Sequence, residues 1–370
     1  MSSHNEWDPL EEVIVGNAER AARLGFEPGM SAWYPLASPE REFRGAPYRD
    51  AEVARAQLQL DGFAATLESR GIAVRRPEPV DHHSNLMTPD FAVGFEHASA
   101  CPRDSLLVIG DDIIEAPMSW RGRSQEYRAY RPLVKAYFQQ GARWSAAPKP
   151  QLLDETYEIP FTTEERPYDA REHPLLTEFE PCFDAACFLR LGRDIIWQPD
   201  LVSNEFGAEW LRRHLGPGYR LHRMEFGDHA PTHIDATLVA LRPGLVMTNP
   251  ARPVKYDALR LFRDNGWEVV EAPLPARSGA IEAVEVSHWL SMNVLSLDPN
   301  TVVVEAGEAP MIAFLEGHGF DVVPVEFEAV FQFGGSFHCC TLDIRRRGEL
   351  LSYFPALDGH SVVATEHQHA

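Results

Sequence analysis

Nowhere do the 370 residues run to the ~20 consecutive apolar positions that cross a bilayer. The opening stretch from Met1 to Val13 lacks the basic-then-apolar order of a secretory signal, so the expected location is cytoplasmic. Basic residues are scarce: 34 Lys and Arg stand against 55 Asp and Glu, a net charge of −21. That balance argues against nucleic acid or an anionic membrane as partner, since either demands a basic face. Cysteine is sparse as well. Cys101, Cys182, Cys187, Cys339 and Cys340 are odd in number and unpaired in spacing, which reads as reduced thiols rather than a disulfide framework. C-x-x-C, H-E-x-x-H and a Gly-rich phosphate loop are all missing, so no metal and no organic cofactor is expected.

What is present is a repeat. Leu106 to Ile109 is an apolar run, Gly110-Asp111-Asp112 a turn and Ile113-Ile114 a second strand; a helix from Ser124 to Gln140 and a strand near Trp144 follow. The same order returns from Phe188 to His222, from Ala236 to Glu271 and from Met292 to Val325. A fifth copy is assembled from both ends: Cys340 to Ile344, then Leu350 to Phe354, with Val13 to Val15, the helix Ala51 to Arg70 and the strand Ile72 to Val74 supplying the rest. Five strand–turn–strand–helix–strand units predict a closed, pseudo-symmetric α/β assembly, one domain over residues 1–370.

The repeat gathers reactive side chains. Just before the first strand of successive units come Asp104, Asp184, His233 with Asp235, Ser287, and His338 with Cys339. Equivalent positions in a ring of like units lie at one end of its axis, so these groups can converge on one cavity. Cys339 follows the pair Gly334-Gly335, where backbone can approach a substrate closely. A thiol titrates near 8.5 and needs a cation beside it to react at neutral pH; a guanidinium substrate is such a cation. An ordinary cysteine is a small buried hydrophobe instead, and that reading is kept for Cys340, expected on the opposite face of a strand. His233 and Asp235, as His-x-Asp at the mouth of a strand, are expected to point one way: an imidazole for proton transfer and a carboxylate for a guanidinium. Asp184, between apolar neighbours, needs a partner if buried, and His233 is the natural one. His82-His83 and His367 to His369 read as exposed or tail residues.

At these positions the sequence resembles the amidinotransferase family, which includes glycine and inosamine-phosphate amidinotransferases. The resemblance runs through His4 to Val13, Pro102-Arg103-Asp104, Ile114 to Met118, Pro181 to Ala186, His233 to Thr237, Trp289 to Asn293 and Phe337-His338-Cys339. It implies a five-bladed α/β propeller. It also implies Cys339 as nucleophile, His233 as general acid and base, Asp184 as its partner, Asp104 and Asp235 as guanidinium binders, and Arg252 and Ser287 at the donor's amino-acid end. The implied activity is transfer of the amidino group of L-arginine to an amine acceptor, with release of ornithine, in a cytoplasmic homodimer of specialised-metabolite biosynthesis.

Some positions depart from the glycine enzymes' pattern. Ser336 stands for a third Gly, Cys187 for an acidic residue and Val286 for a Ser. Ala230 and Thr232 replace bulkier residues just before His233, which is expected to admit a larger acceptor. Two other readings share the same residues. One is an arginine deiminase-like hydrolase, in which water replaces the amine; the other is a silent arginine-binding protein.

Overall fold

The computed structural model describes residues 1–34, 36–158, 174–228, 231–276 and 287–357. Five three-stranded sheets carry the repeat. Unit one is Leu106–Ile109, Asp112–Glu115 and Arg143–Ala146; unit two is Phe188–Leu191, Asp194–Trp197 and Arg220–Arg223. Unit three is Leu238–Arg242, Leu245–Thr248 and Glu268–Glu271; unit four is Leu295–Asp298, Thr301–Glu305 and Asp321–Val325. In each, a tight antiparallel hairpin is followed by a helix that returns the third strand parallel to the second. The hairpin strands are buried almost throughout, so they read as short unbroken apolar runs rather than alternating ones. The third strands are partly exposed and carry more polar residues.

Local chemistry sets the element ends. Helix Glu205–Leu215 begins at Asn204, whose side-chain oxygen accepts from Gly207 N, and Arg212, Arg213 and His214 lie at its negative end. It stops at Gly216 with φ +68°, a conformation that glycine reaches without steric cost.

Unit five joins the two ends of the described chain. Thr341–Arg346 pairs antiparallel with Leu10–Val15, and Ala73–Arg75 pairs parallel with Leu10–Val15 after helix Asp50–Ser69. The second strand of this hairpin is therefore the N-terminal segment and not Leu350 to Phe354. With that edge of Thr341–Arg346 taken, residues 350–354 run on to unit two, where Arg193 N donates to Leu351 O at 2.9 Å. Phe354 is then buried edge-on against Phe262 and Trp267 of unit three.

First strands of neighbouring units touch. Val108 O accepts from Arg190 Nη1 (3.0 Å), Leu241 O from Ser296 Oγ (3.1 Å) and Ser296 O from Arg346 Nη2 (2.9 Å). Strand Phe188–Leu191 packs on Leu238–Arg242, and Thr341–Arg346 on Leu106–Ile109. Between them lies a buried ionic cluster that periodicity does not foretell. Arg103, Arg190 and Arg346 converge on Asp343 at 2.6, 2.8 and 2.7 Å, and Glu6 grips Arg190 with both oxygens at 2.8 and 2.7 Å. Three guanidinium groups share two carboxylates, so each buried cation has a charged partner. No helix among the described residues is long and apolar enough to cross a membrane.

Candidate active site

Short helical turns, not strands, present the reactive residues. Asp104 lies in the turn Pro102–Ser105; Asp184, His233 and Ser287 are the N-caps of the turns Ala185–Cys187, Ile234–Ala236 and His288–Met292. His233 adopts φ +59°, unusual for a residue with a side chain. That bend, rather than strand alternation, brings both His233 and Asp235 to the cavity. The backbone N–H of His233 is held by Asp200 Oδ2 at 2.8 Å.

The nucleophile candidate sits in a similar turn. Phe337 stacks on Phe327 (centroids 4.3 Å apart) and meets Phe63 edge-on, fixing the segment against helix Asp50–Ser69. A Cβ on Gly335 would lie 2.4 Å from Cys339 Cβ, so only glycine lets the thiol occupy its place. Asn293 then ties the turn together. Its Oδ1 accepts from both Ser336 N and Cys339 N at 3.1 Å, and its Nδ2 donates to Cys339 Sγ at 3.1 Å.

Around the sulfur stand a cation and several carboxylates. Cys339 Sγ–H donates to Asp235 Oδ2 at 3.1 Å, and His338 Nδ1 meets the same oxygen at 2.9 Å. His233 Nε2 donates to Asp184 Oδ2 at 3.0 Å while its Nδ1 faces Asp104 Oδ1 at 3.7 Å. Arg123 contacts Asp104 (2.9 Å) and Asp184 (3.8 Å) and forks onto Glu126. Burial alone would lower the His233 imidazole, but Asp104 and Asp184 push it up to about 10. Burial would raise the Asp235 carboxyl, yet the His338 hydrogen bond holds it down to about 2. Burial pushes the Cys339 thiol well above the ordinary range, and the charges of Asp235 and Asp104 push it further. The site thus sets a protonated imidazole and a neutral thiol beside the ionised Asp235 carboxylate.

These groups open on a cavity of about 910 Å³, lined by Cys339, His233, Asp184, Asp235, Arg252 and Ser287 at its inner end. Asp104 sits just behind that surface. Arg252 donates to Ser287 Oγ (3.2 Å) and Thr237 Oγ1 (3.3 Å) and pairs with Asp228 (2.7 Å). Thr232 lines the cavity, its hydroxyl oxygen buried without a hydrogen-bond partner among the described residues. Ala230 and Val286 lie outside the described residues, as do His367 to His369. Ligand atoms of Asp104, His233 and Cys339 fall within 4.8 Å of one another, close enough to hold a cation. The His233 nitrogens already face carboxylates, however, which suits proton transfer better than ligation.

Two expectations need correction. His82 is not exposed: it is buried, hydrogen-bonded to Ser99 Oγ at 2.7 Å. Cys340 does point away from the cavity, but from a turn rather than a strand; it packs against Cys101, with sulfurs 3.8 Å apart. Two supporting residues escaped the sequence reading. Asn293 falls inside the Trp289 to Asn293 motif, yet its role rests on hydrogen bonds across 43 to 46 positions. Asp200 holds His233 N and also accepts from the Cys187 thiol at 3.2 Å, so Cys187 stands where it meets an acid supplied by another segment.

No protein-family model matches the chain. Relatives do. It is 45% identical to the mitochondrial glycine amidinotransferase of Danio rerio over 363 residues, 96% of this chain and 85% of that one. It is also 45% identical to the L-arginine:L-lysine amidinotransferase of Pseudomonas savastanoi pv. phaseolicola over 355 residues, 95% of this chain and 96% of the other. The chain belongs to the amidinotransferase family. Among solved structures, SxtG, an amidinotransferase of Microseira wollei from the saxitoxin biosynthetic pathway, superposes with TM-score 0.87 at 43% identity, covering 95% of this chain and 99% of its own. A dimethylarginine dimethylaminohydrolase shares the α/β fold at TM-score 0.58 and 12% identity, a likeness of fold alone.

For this family member, Asn293→Ala removes the amide donor from the sulfur and leaves two buried N–H groups unpaired. Turnover is expected to fall about 10²-fold, with a stability loss of about 1–3 kcal/mol. Steady-state kinetics beside urea unfolding checks both; a variant with unaltered kcat would remove Asn293 from the catalytic arrangement.

Proposed function

We propose that this chain transfers the amidino group of L-arginine to a primary amine through a covalent amidino-Cys339 intermediate. The observation that carries the reading is the meeting of Cys339, protonated His233 and the Asp184, Asp104 and Asp235 carboxylates at one end of the cavity. Family membership supports the reaction class.

The sequence of events follows from charge. Arginine's guanidinium enters between Asp104 and Asp235, with its amino-acid end toward Arg252 and Ser287. Its positive charge offsets the carboxylates and favours loss of the Cys339 proton to solvent, His233 being protonated already. The thiolate attacks the guanidinium carbon and His233 gives its proton to the departing nitrogen, so ornithine leaves and a cationic amidino thioether remains. An acceptor amine then attacks that carbon while His233 takes up its proton. The C–S electron pair returns to sulfur and a guanidino product departs.

The five units are read with it as one domain, 1–370, closing into a five-bladed propeller; the contacts between neighbouring first strands support that closure. Homodimer assembly, a cytoplasmic location and a place in specialised metabolism rest on the family resemblance.

Intact-protein mass spectrometry after mixing with arginine tests the reading. A gain of one amidino group, discharged by added amine, is the expected result. Citrulline without any acceptor identifies a hydrolase instead, and neither adduct nor product leaves an arginine-binding protein.

A further inference from the structure

Beyond the reactive end, the cavity has an outer wall of different chemistry. It comes from residues 23–48, which are inserted between strand Leu10–Val15 and helix Asp50–Ser69 and lie outside the repeat. The segment is built rather than loose. Ala22–Arg23 pairs with Ala46–Pro47, Phe26 N donates to Phe43 O at 2.9 Å, and the buried Glu27 carboxylate accepts from Arg121 N and Gly122 N. Toward the cavity it presents Phe26, Met30, Trp33, Tyr34 and Phe43, and Trp33 meets Trp120 edge-on at 5.4 Å.

Charge decides what this wall can receive. Three arginines line the cavity among the described residues, and each is committed. Arg23 lies over the Tyr48 ring and pairs with Glu52; Arg123 is held by Glu126, Asp104 and Asp184; Arg252 is held by Asp228, Ser287 and Thr237. His97, also in the lining, faces two backbone carbonyls, and burial drops it to about 4, so it stays neutral. At the aromatic wall itself a carboxylate or phosphate meets only Arg23 among the lining arginines, already paired with Glu52, because Arg252 stands at the donor's amino-acid end and Arg123 among the Asp104 and Asp184 carboxylates. A volume of about 910 Å³ also far exceeds what one small amino acid fills; cavities of this size hold drug-sized ligands against mostly apolar walls.

We propose that the acceptor is a primary amine carried on an uncharged, predominantly apolar body, seated against the aromatic wall of residues 23–48. The inference rests on the amidinotransferase reading above. In the transfer step the amine nitrogen forms the new C–N bond, the C–S bond breaks toward Cys339, and the surplus amine proton goes to His233. The apolar body stays on the aromatic wall, and its burial holds the amine in line.

The test begins from enzyme amidinated with arginine and freed of excess donor, its adduct confirmed by mass before any amine is added. Discharge is then timed with 2-phenylethylamine, hexylamine, glycine, lysine and O-phosphoethanolamine, each rate divided by its free-base fraction. The two apolar amines are expected to react at least about ten-fold faster per molar than the three charged ones. Trp33→Ala is expected to narrow that ratio. Discharge by glycine, lysine or O-phosphoethanolamine as fast as by the apolar amines overturns the proposal, as does no discharge by either apolar amine, or a ratio untouched in Trp33→Ala. Failure to form the adduct at the first stage overturns the amidinotransferase reading instead, and this inference with it.

Discussion

Replacing Cys339 with alanine is expected to lower turnover with arginine and any competent acceptor by at least about 10⁴-fold, because in the proposed cycle this thiol alone carries the amidino group between the two half-reactions. No other thiol can take over. Among the described cysteines, Cys101 and Cys340 pack on each other, Cys187 is turned to Asp200, and Cys182 is fully buried outside the cavity lining. The variant also loses the amidino mass gain, while its cooperative unfolding transition persists, since Cys339→Ala deletes one sulfur from a turn held by Asn293 and Phe337. Alkylation of the wild-type thiol by iodoacetamide gives the accompanying pH signature. The thiol is raised by burial and by Asp235 and Asp104, so alkylation is slow near neutral pH and accelerates as pH rises. Near-wild-type turnover in Cys339→Ala removes the covalent mechanism altogether.

Asp343→Asn should be the most damaging change made away from the cavity. The substitution keeps shape and removes one charge, leaving Arg103 and Arg190 to share Glu6 and depriving Arg346 of the carboxylate it pairs with, all in a buried site. Breaking a buried ion pair from one side typically costs about 3–5 kcal/mol, a large share of the roughly 5–15 kcal/mol that holds a protein folded. A urea midpoint displaced by that amount, or a failure to accumulate as folded protein, is the expected result. Arg103 also donates to His338 O at 2.7 Å, so kcat should fall even where the variant remains folded. A midpoint within about 1 kcal/mol of wild type would show that these charges are compensated by something other than one another.

The repeat was legible because hairpin strands buried on both faces leave short apolar runs, and turns at Gly110, Gly192 and Gly244 punctuate them. The catalytic candidates were legible because each precedes a first strand, and Asp184 meets His233 as its apolar setting required. Other features depend on contacts remote in sequence. Leu350 to Phe354 looks like a strand, but whether it pairs with Thr341–Arg346 depends on the rival Leu10–Val15, some 330 residues away. Asn293 and Asp200 are ordinary polar residues until the turns they hold are folded against them. His82 reads as a surface histidine because its partners, Ser99 and Glu96, come from a separate segment.

The pairing of Thr341–Arg346 with Leu10–Val15 also has a consequence for biosynthesis. While the chain is being translated, Leu10–Val15 is made before every other described strand, yet its antiparallel partner is the last of them. Its apolar residues Val13, Ile14 and Val15 therefore wait, while the strands of the other four units are made, with one edge open to stray pairing. Cys339 stands two residues ahead of the late strand, so the thiol takes up its place beside Asp235 in the same event that completes this sheet. A nascent chain gains its reactivity and its completed sheet together, and a ribosome stalled within unit four holds neither.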